Sequence, residues 1–256
     1  MNKLSAIVIT RNEEKNIKGC LESVKWTDEI IVIDQSSTDR TVDICREYTN
    51  KVFIVEPKGY CEPDRMFAIS KTTSEWIFYI DADEIVTPEL EQEIKRIISK
   101  EPSEYDCYYV PRKTHFLGKW IKSCEWYPGY VLRLFKKGTV TYSENIHQDG
   151  ITNKKHGYLK NDLLHLSYKT LEDYFEKFNR YTSRLAREEY EKGVKVNNKS
   201  FPLFFLIKPL FWFIRKYFLQ RGWKDGFRGF FISFSSGLVV FTTYTKLWEI
   251  QNNEKS

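Results

Sequence analysis

The chain has 256 residues, with 40 Lys and Arg against 35 Asp and Glu and a net charge of +5. That length can bury a full hydrophobic core, and 41% hydrophobic with 16% aromatic residues excludes a disordered or collagen-like polymer. Five widely spaced cysteines without a C-x-x-C pair exclude a disulfide framework or zinc cluster and point to a reducing compartment.

Leu4 to Ile9 reads as a buried strand, after which Ile17, Cys20, Leu21 and Val24 recur at helical spacing. The charged run Arg11 to Lys15 directly behind that short apolar stretch does not fit a signal peptide, so the chain is expected to stay on the side where it is made. Glu29 to Ile33 reads as a second strand, and Ser36 or Ser37 is expected to cap a helix over Thr38 to Tyr48. A third strand at Val52 to Val55, a helix at Asp64 to Ser70 and a fourth strand at Trp76 to Ile80 follow.

Short apolar strands alternating with helices of about ten residues predict an α/β fold with a mostly parallel sheet and helices on both faces. Pro88 opens a further helix, and Tyr108 to Phe135 reads as an antiparallel, aromatic extension of the sheet. Thr170 to Lys192 is expected as a charged amphipathic helix, with Gly193 to Ser200 as a linker. The expected division is residues 1–165 as a ligand-binding and catalytic domain and 166–256 as a helical appendage.

From Phe201 onward eight Lys/Arg face three acids, so the whole net charge sits in the last 56 residues. These cations are interleaved with Phe, Trp and Leu rather than Gly and Ser, which favours a lipid surface over nucleic acid. Phe201 to Gln220 is broken by Lys208, Pro209, Arg215 and Lys216, and only 17 uncharged residues separate Arg228 from Lys246. Both stretches are therefore expected to lie in a membrane interface and give a peripheral association, with a re-entrant or spanning hairpin and an ordinary packed helical appendage as the alternatives.

Ligands of doubly wound sheets bind beyond the carboxyl ends of the strands. There the chain places Thr10-Arg11-Asn12-Glu13, Asp34-Gln35-Ser36-Ser37 and Asp81-Ala82-Asp83-Glu84. Asp81 and Asp83 form a D-x-D pair at the end of an apolar strand, and residues two apart in extended chain point the same way. Such hard carboxylates suit Mg²⁺ or Mn²⁺, with diphosphate oxygens completing the shell. A solvated acidic turn, and helix capping by Ser36, Ser37 and Asp39, are the structural alternatives for these clusters. Neither G-x-x-x-x-G-K-[ST] nor G-x-G-x-x-G occurs after a strand, which argues against P-loop and dinucleotide-binding enzymes.

The segments Ala6 to Ile44 and Glu75 to Glu84 strongly resemble family 2 glycosyltransferases of the GT-A fold. Tyr109 to Gly138 and His165 to Thr182 resemble, more narrowly, the bacterial branch that extends lipopolysaccharide cores. The resemblance implies inverting transfer of a sugar, such as a hexose, from a nucleotide-sugar donor, usually a UDP-sugar, with a divalent cation. It implies that Thr10, Asn12, Glu13, Asp34, Asp81 and Ala82 contact the nucleotide, that Arg65 faces the donor, and that Asp83 and His147 hold the cation. It further implies a lipid-linked glycan acceptor at the cytoplasmic face of the membrane. Ser36 stands where the branch has glycine, Gly129 where it often has an acid, and Gln148 where it has a glutamate.

Inversion requires a base for the acceptor hydroxyl. Glu125, beside Trp126 and Tyr127 whose rings suit an acceptor sugar, is the first candidate, with Glu144 and Asp149 in reserve. Polyprenyl-linked or capsule precursors are alternative acceptors. Nucleotidyl or phosphoryl transfer at the same carboxylates, or a non-catalytic membrane module, are alternative functions.

Overall fold

The computed structural model describes residues 2–57, 62–100, 102–142 and 150–253, and it divides into two compact units, 1–113 with 129–165 and 114–128 with 166–256. The segment 114–128 thus groups with the carboxy-terminal helices.

The first unit is built on a seven-stranded sheet. Strand β1 (Leu4–Thr10) is buried at every residue and lies between β2 (Glu29–Asp34) and β4 (Trp76–Asp81), parallel to both. A largely apolar strand is what a centre covered on both faces demands. Strand β3 (Val52–Ile54) extends the parallel part beyond β2. On the other side β9 (Val131–Lys136) runs antiparallel to β4 and to β6 (Cys107–Val110), and β10 (His156–Tyr158) forms the edge, parallel to β6. The mostly parallel sheet with an antiparallel extension agrees with the sequence expectation.

Helix α1 (Ile17–Val24) buries Ile17, Cys20, Leu21 and Val24, the four residues whose spacing predicts it, within the core on one side of the sheet. Helix α2 (Thr41–Arg46) is shorter than expected and is not capped by a serine. Its first N–H instead meets Asp39 Oδ1 at 3.0 Å, because the Ser37 side chain is engaged elsewhere. Helix α3 (Glu62–Lys71) contributes Ala68 and Ile69 to the core on the other face. Helix α4 (Pro88–Ile98) starts on a Thr87 cap and buries Leu90, Ile94 and Ile98. Strand β5 (Glu84–Val86) pairs antiparallel with β11 (Leu163–Tyr168), setting His165 opposite Glu84.

At the amino ends of the parallel strands lies a cavity of about 540 Å³, lined by Lys3, Glu29, Lys51 and Thr73 among others. Burial alone would raise the Glu29 carboxyl, but Lys51, Ser5 and Thr73 outweigh it and hold it at about 2. This end of the sheet carries no D-x-D pair.

Strand β7 (Arg112–Phe116), of which Thr114, His115 and Phe116 belong to the second unit, pairs with β8 (Lys119–Trp120), His115 opposite Trp120. Helix α5 (Leu171–Glu191) begins in a reciprocal capping box of Thr170 and Asp173. Helix α6 (Lys208–Ile214) is flanked by π-helical turns at Leu203–Ile207 and Arg215–Leu219, and α7 (Gly226–Asn253) runs for 28 residues. These helices are packed: Phe204 stacks on Tyr244 at 3.9 Å, and Lys246 Nζ donates to Asn179, Thr182 and Ser183. Glycine is required at position 229, where a Cβ would stand 1.8 Å from the Gly222 carbonyl oxygen. The four cysteines among the described residues are free and buried.

Candidate active site

The register of the sheet decides which acids can meet. Thr10 pairs with Asp34 on one side of β1, and Ile9 pairs with Asp81 on the other. Two acid-bearing strand ends are thus separated by a single strand, a distance of about 10 Å.

The loops after β1 and β2 close on each other through side chains expected near a nucleotide. Asp34 is fully buried, and its Oδ1 and Oδ2 accept from the Ser37 N–H (2.8 Å) and hydroxyl (2.5 Å). The Asn12 N–H donates to Ser37 Oγ at 2.8 Å, and the Thr38 N–H donates to Asn12 Oδ1 at 2.8 Å. The Glu13 N–H donates to Thr41 Oγ1, and the Glu13 carboxylate accepts from Asn16. Thr10 is buried at the strand end. Ser36 occupies the left-handed region (φ 52°) and donates to the Val55 carbonyl at 2.9 Å, so the turn that usually holds glycine is kept with serine.

Beyond β4 the two acids of the D-x-D pair have different surroundings. Asp81 is ion-paired with Arg133 of β9 and accepts from the Tyr79 hydroxyl at 2.8 Å. The same guanidinium donates to Glu84 Oε1 at 2.8 Å, while Glu84 Oε2 accepts the Asp81 N–H at 2.9 Å. Arg133 also lies over the Tyr79 ring at 4.7 Å. Burial would raise the Asp81 carboxyl, but Arg133 beside it holds it below the usual range. At Glu84 burial prevails over Arg133 and the carboxyl is raised. Burial opposes the charge of Arg133, yet Asp81 and Glu84 keep the guanidinium firmly protonated.

Asp83 stands apart from this triad, with its Oδ2 3.5 Å from His165 Nε2 and both side chains only slightly exposed. Ala82 between the acids is buried. Arg65 is sandwiched between the rings of Tyr79 (5.1 Å) and Tyr142 (4.9 Å), which fixes it on the sheet face that carries Tyr79. No group of three or more His, Cys, Asp or Glu arranged for a metal occurs among the described residues. A carboxylate oxygen and an imidazole nitrogen 3.5 Å apart nonetheless fit two ligands of one ion with bonds of about 2.1 Å, a ligand having to supply the rest of the shell.

The remaining sequence candidates lie elsewhere. Glu125 belongs to the second unit, has a left-handed backbone (φ 60°), and faces Arg215 at 3.6 Å and Lys216 at 3.7 Å. Trp126 packs edge-on against Phe116, and Tyr127 edge-on against Trp120, within that same unit. Glu144, His147 and Asp149 lie outside the described residues. Arg133 and His165 were not singled out by sequence reasoning. Both lie inside the motifs that carry the family resemblance.

A model of glycosyl transferase family 2 matches residues 5–151, more than half of the chain. The chain belongs to glycosyltransferase family 2. It is 32% identical to an uncharacterised glycosyltransferase of Rickettsia typhi, across 98% of this chain and 88% of that one. It is 27% identical to the lipopolysaccharide core biosynthesis glycosyltransferase LpsC of Rhizobium meliloti, across 96% and 92%. Among solved structures it shares its fold with the mannosyltransferase PcManGT of Pyrobaculum calidifontis in complex with GDP-Man and Mn²⁺, at a TM-score of 0.56 and 13% identity, across 96% and 87%. The fold of this glycosyltransferase is accordingly GT-A.

Removing Arg133 takes the nearest cation from the buried Glu84 and the partly exposed Asp81, leaving Arg112, 3.7 Å from Glu84 Oε1, as the more distant guanidinium. Arg133→Met is expected to lower the unfolding free energy by about 3–5 kcal/mol, read by urea denaturation. A loss below about 1 kcal/mol contradicts the coupling described for the triad.

Proposed function

We propose that this glycosyltransferase moves a hexose from a UDP-sugar, with inversion, onto a membrane-presented glycan acceptor such as a lipopolysaccharide core. The observation that carries the reading is the pairing of Asp83 with His165 at 3.5 Å, one strand away from the Asp34 loop. In this reading Asp34, Asn12, Glu13 and Thr10 surround the nucleoside, and Arg65 faces the donor diphosphate. Asp83 and His165 hold a divalent cation, Mg²⁺ or Mn²⁺, which when bound neutralises the departing diphosphate. Asp81 serves mainly through Arg133, by fixing the chain that presents Asp83. The Mn²⁺ in the complex of PcManGT supports a cation here, and similarity to LpsC supports the acceptor class. The role of Glu125 as base stands on its aromatic sequence neighbours.

Slow hydrolysis of the donor tests this reading without an acceptor. Wild-type protein with Mn²⁺ is expected to release UDP from a UDP-hexose, and Asp83→Ala to lower that rate at least about 100-fold. Equal rates for the two proteins, or release only from GDP-sugars, would overturn the assignment.

Membrane association rests on the second unit. Leu219 is 74% exposed and Phe227 69%, and Leu206, Ile207, Leu210, Phe218 and Trp223 also stand largely in water. Exposed apolar area on this scale, with the exposed cations Arg221 and Lys224 between Leu219 and Phe227 in the chain, matches a helix pair lying in a lipid interface. One helical stretch among the described residues, Gly222–Asn253, is long and apolar enough to cross a membrane. Part of it is buried against its own unit, with Ile232, Tyr244 and Leu247 packed inward, which favours lying over crossing. Each large apolar side chain taken out of water contributes roughly 1.5–3 kcal/mol. Co-sedimentation with anionic phosphatidylglycerol vesicles is therefore expected to fall at least about tenfold in Phe218→Asp/Leu219→Asp/Phe227→Asp. Unchanged sedimentation would remove the membrane from the account.

A further inference from the structure

The edge of the sheet opposite β3 carries a cluster of rings that the donor site does not use. Tyr158 on β10 is 56% exposed and stacks on Tyr109 of β6, with centroids 5.4 Å apart and planes 23° from parallel. Tyr130, 41% exposed and directly before β9, meets Tyr158 edge-on at 4.9 Å. His156 closes the group at 5.4 Å from Tyr109 and 5.8 Å from Tyr158. Between His156 and Tyr158 only glycine fits, because a Cβ at Gly157 would come within 2.9 Å of Tyr105 and Tyr108. The short edge strand is thus seated on two rings while its own two rings are turned away from that contact.

Strand directions place this cluster at a definite end of the sheet. β4 ends at Asp81, β9 runs antiparallel to it, β6 antiparallel to β9, and β10 parallel to β6. Tyr130 at the start of β9, Tyr109 near the end of β6 and Tyr158 at the end of β10 therefore all lie on the carboxylate end. Tyr130 is three residues from Arg133, the cation of the triad. The rings continue the row of site residues away from Asp34, on the side of β4 that the nucleoside loops do not occupy.

An edge strand of three residues gains from cross-strand ring pairs, but stability alone does not call for tyrosines left about half in water. Exposed aromatic clusters mark binding surfaces, and tyrosine presents an apolar face together with a hydroxyl rim. A pyranose has the complementary character, with C–H groups on its faces and hydroxyls around its edge. We propose that Tyr158, Tyr130 and Tyr109, with His156, form a stacking subsite for a pyranose ring of the acceptor glycan. This rests on the glycosyl-transfer reading and adds to it the place where the acceptor is held.

Saturation-transfer NMR on the full chain, with the methyl glycosides of glucose, galactose and mannose and with maltose as probes, tests the proposal without turnover. Ring-proton signals are expected from at least one probe with the wild type. They are expected to persist in Tyr158→Phe, which keeps the ring, and to fall at least fivefold in Tyr158→Leu and Tyr130→Leu. Position 158 is exposed, so both its variants should fold, which circular dichroism checks. No signal in the wild type, or equal signals in Tyr158→Leu and Tyr158→Phe, overturns the subsite. A purely structural role of the rings predicts the second of these results. Since UDP release by the wild type is measured separately, the two failures are told apart: failure here leaves the transfer reading standing, whereas failure there removes the acceptor role assigned to these rings.

Discussion

A single buried guanidinium organises the functional end of the first unit. Arg133 reaches from β9 to Asp81 and Glu84, the first and last residues of the Asp81-Ala82-Asp83-Glu84 turn, and rests on the Tyr79 ring. An arginine taken out of water needs its charge matched and its donors satisfied. Two carboxylates flanking a tight turn match the charge and take both bonds from Nη2, and in doing so tie the two ends of the turn together. Asp83 is the other acid of the D-x-D pair, and the pairing of β5 with β11 brings His165 to it. The two acids of the D-x-D pair thus meet different partners, Asp81 the Arg133 guanidinium and Asp83 the His165 imidazole.

The parallel half of the sheet supplies the complementary half of the site. Because β1 is largely apolar and buried at every residue, it takes the centre, and its neighbours β2 and β4 then deliver Asp34 and Asp81 to either side of it. Asp34 is held by Ser37, and Ser37 in turn by Asn12, so the loops after β1 and β2 behave as one hydrogen-bonded rim. The helices of the second unit follow a different rule. Close packing at Gly229 and the Phe204–Tyr244 stack bury one side of α7, and a row of large apolar residues remains on the outside.

Much of this was legible in the residues. Apolar runs followed by polar or acidic residues identified β1, β2 and β4, and the rule for doubly wound sheets names their carboxyl ends as the expected ligand edge. The helical spacing of Ile17, Cys20, Leu21 and Val24 marked α1 correctly. Capping by Ser36 or Ser37 was a misreading with a clear cause: Asp34, buried and needing donors, takes the Ser37 hydroxyl, and Asp39 meets the helix instead. Arg133 was hidden because a cation inside Val131–Lys136 looks like the outward residue of an alternating strand. His165 was hidden by distance, as 82 positions separate it from Asp83 in the chain and only the strand pairing joins them. The tyrosine cluster was invisible for the same reason, being assembled from three separate strands.

The central claim is that Asp83 and His165 together form the protein's half of a cation shell. Electron spin-echo envelope modulation of Mn²⁺ bound with UDP reads nitrogen ligation directly. The account predicts a ¹⁴N coupling in the wild type that disappears in His165→Gln, with Mn²⁺ affinity weakened about 10- to 100-fold. A coupling that persists unchanged in His165→Gln would assign the nitrogen to another residue and contradict the account.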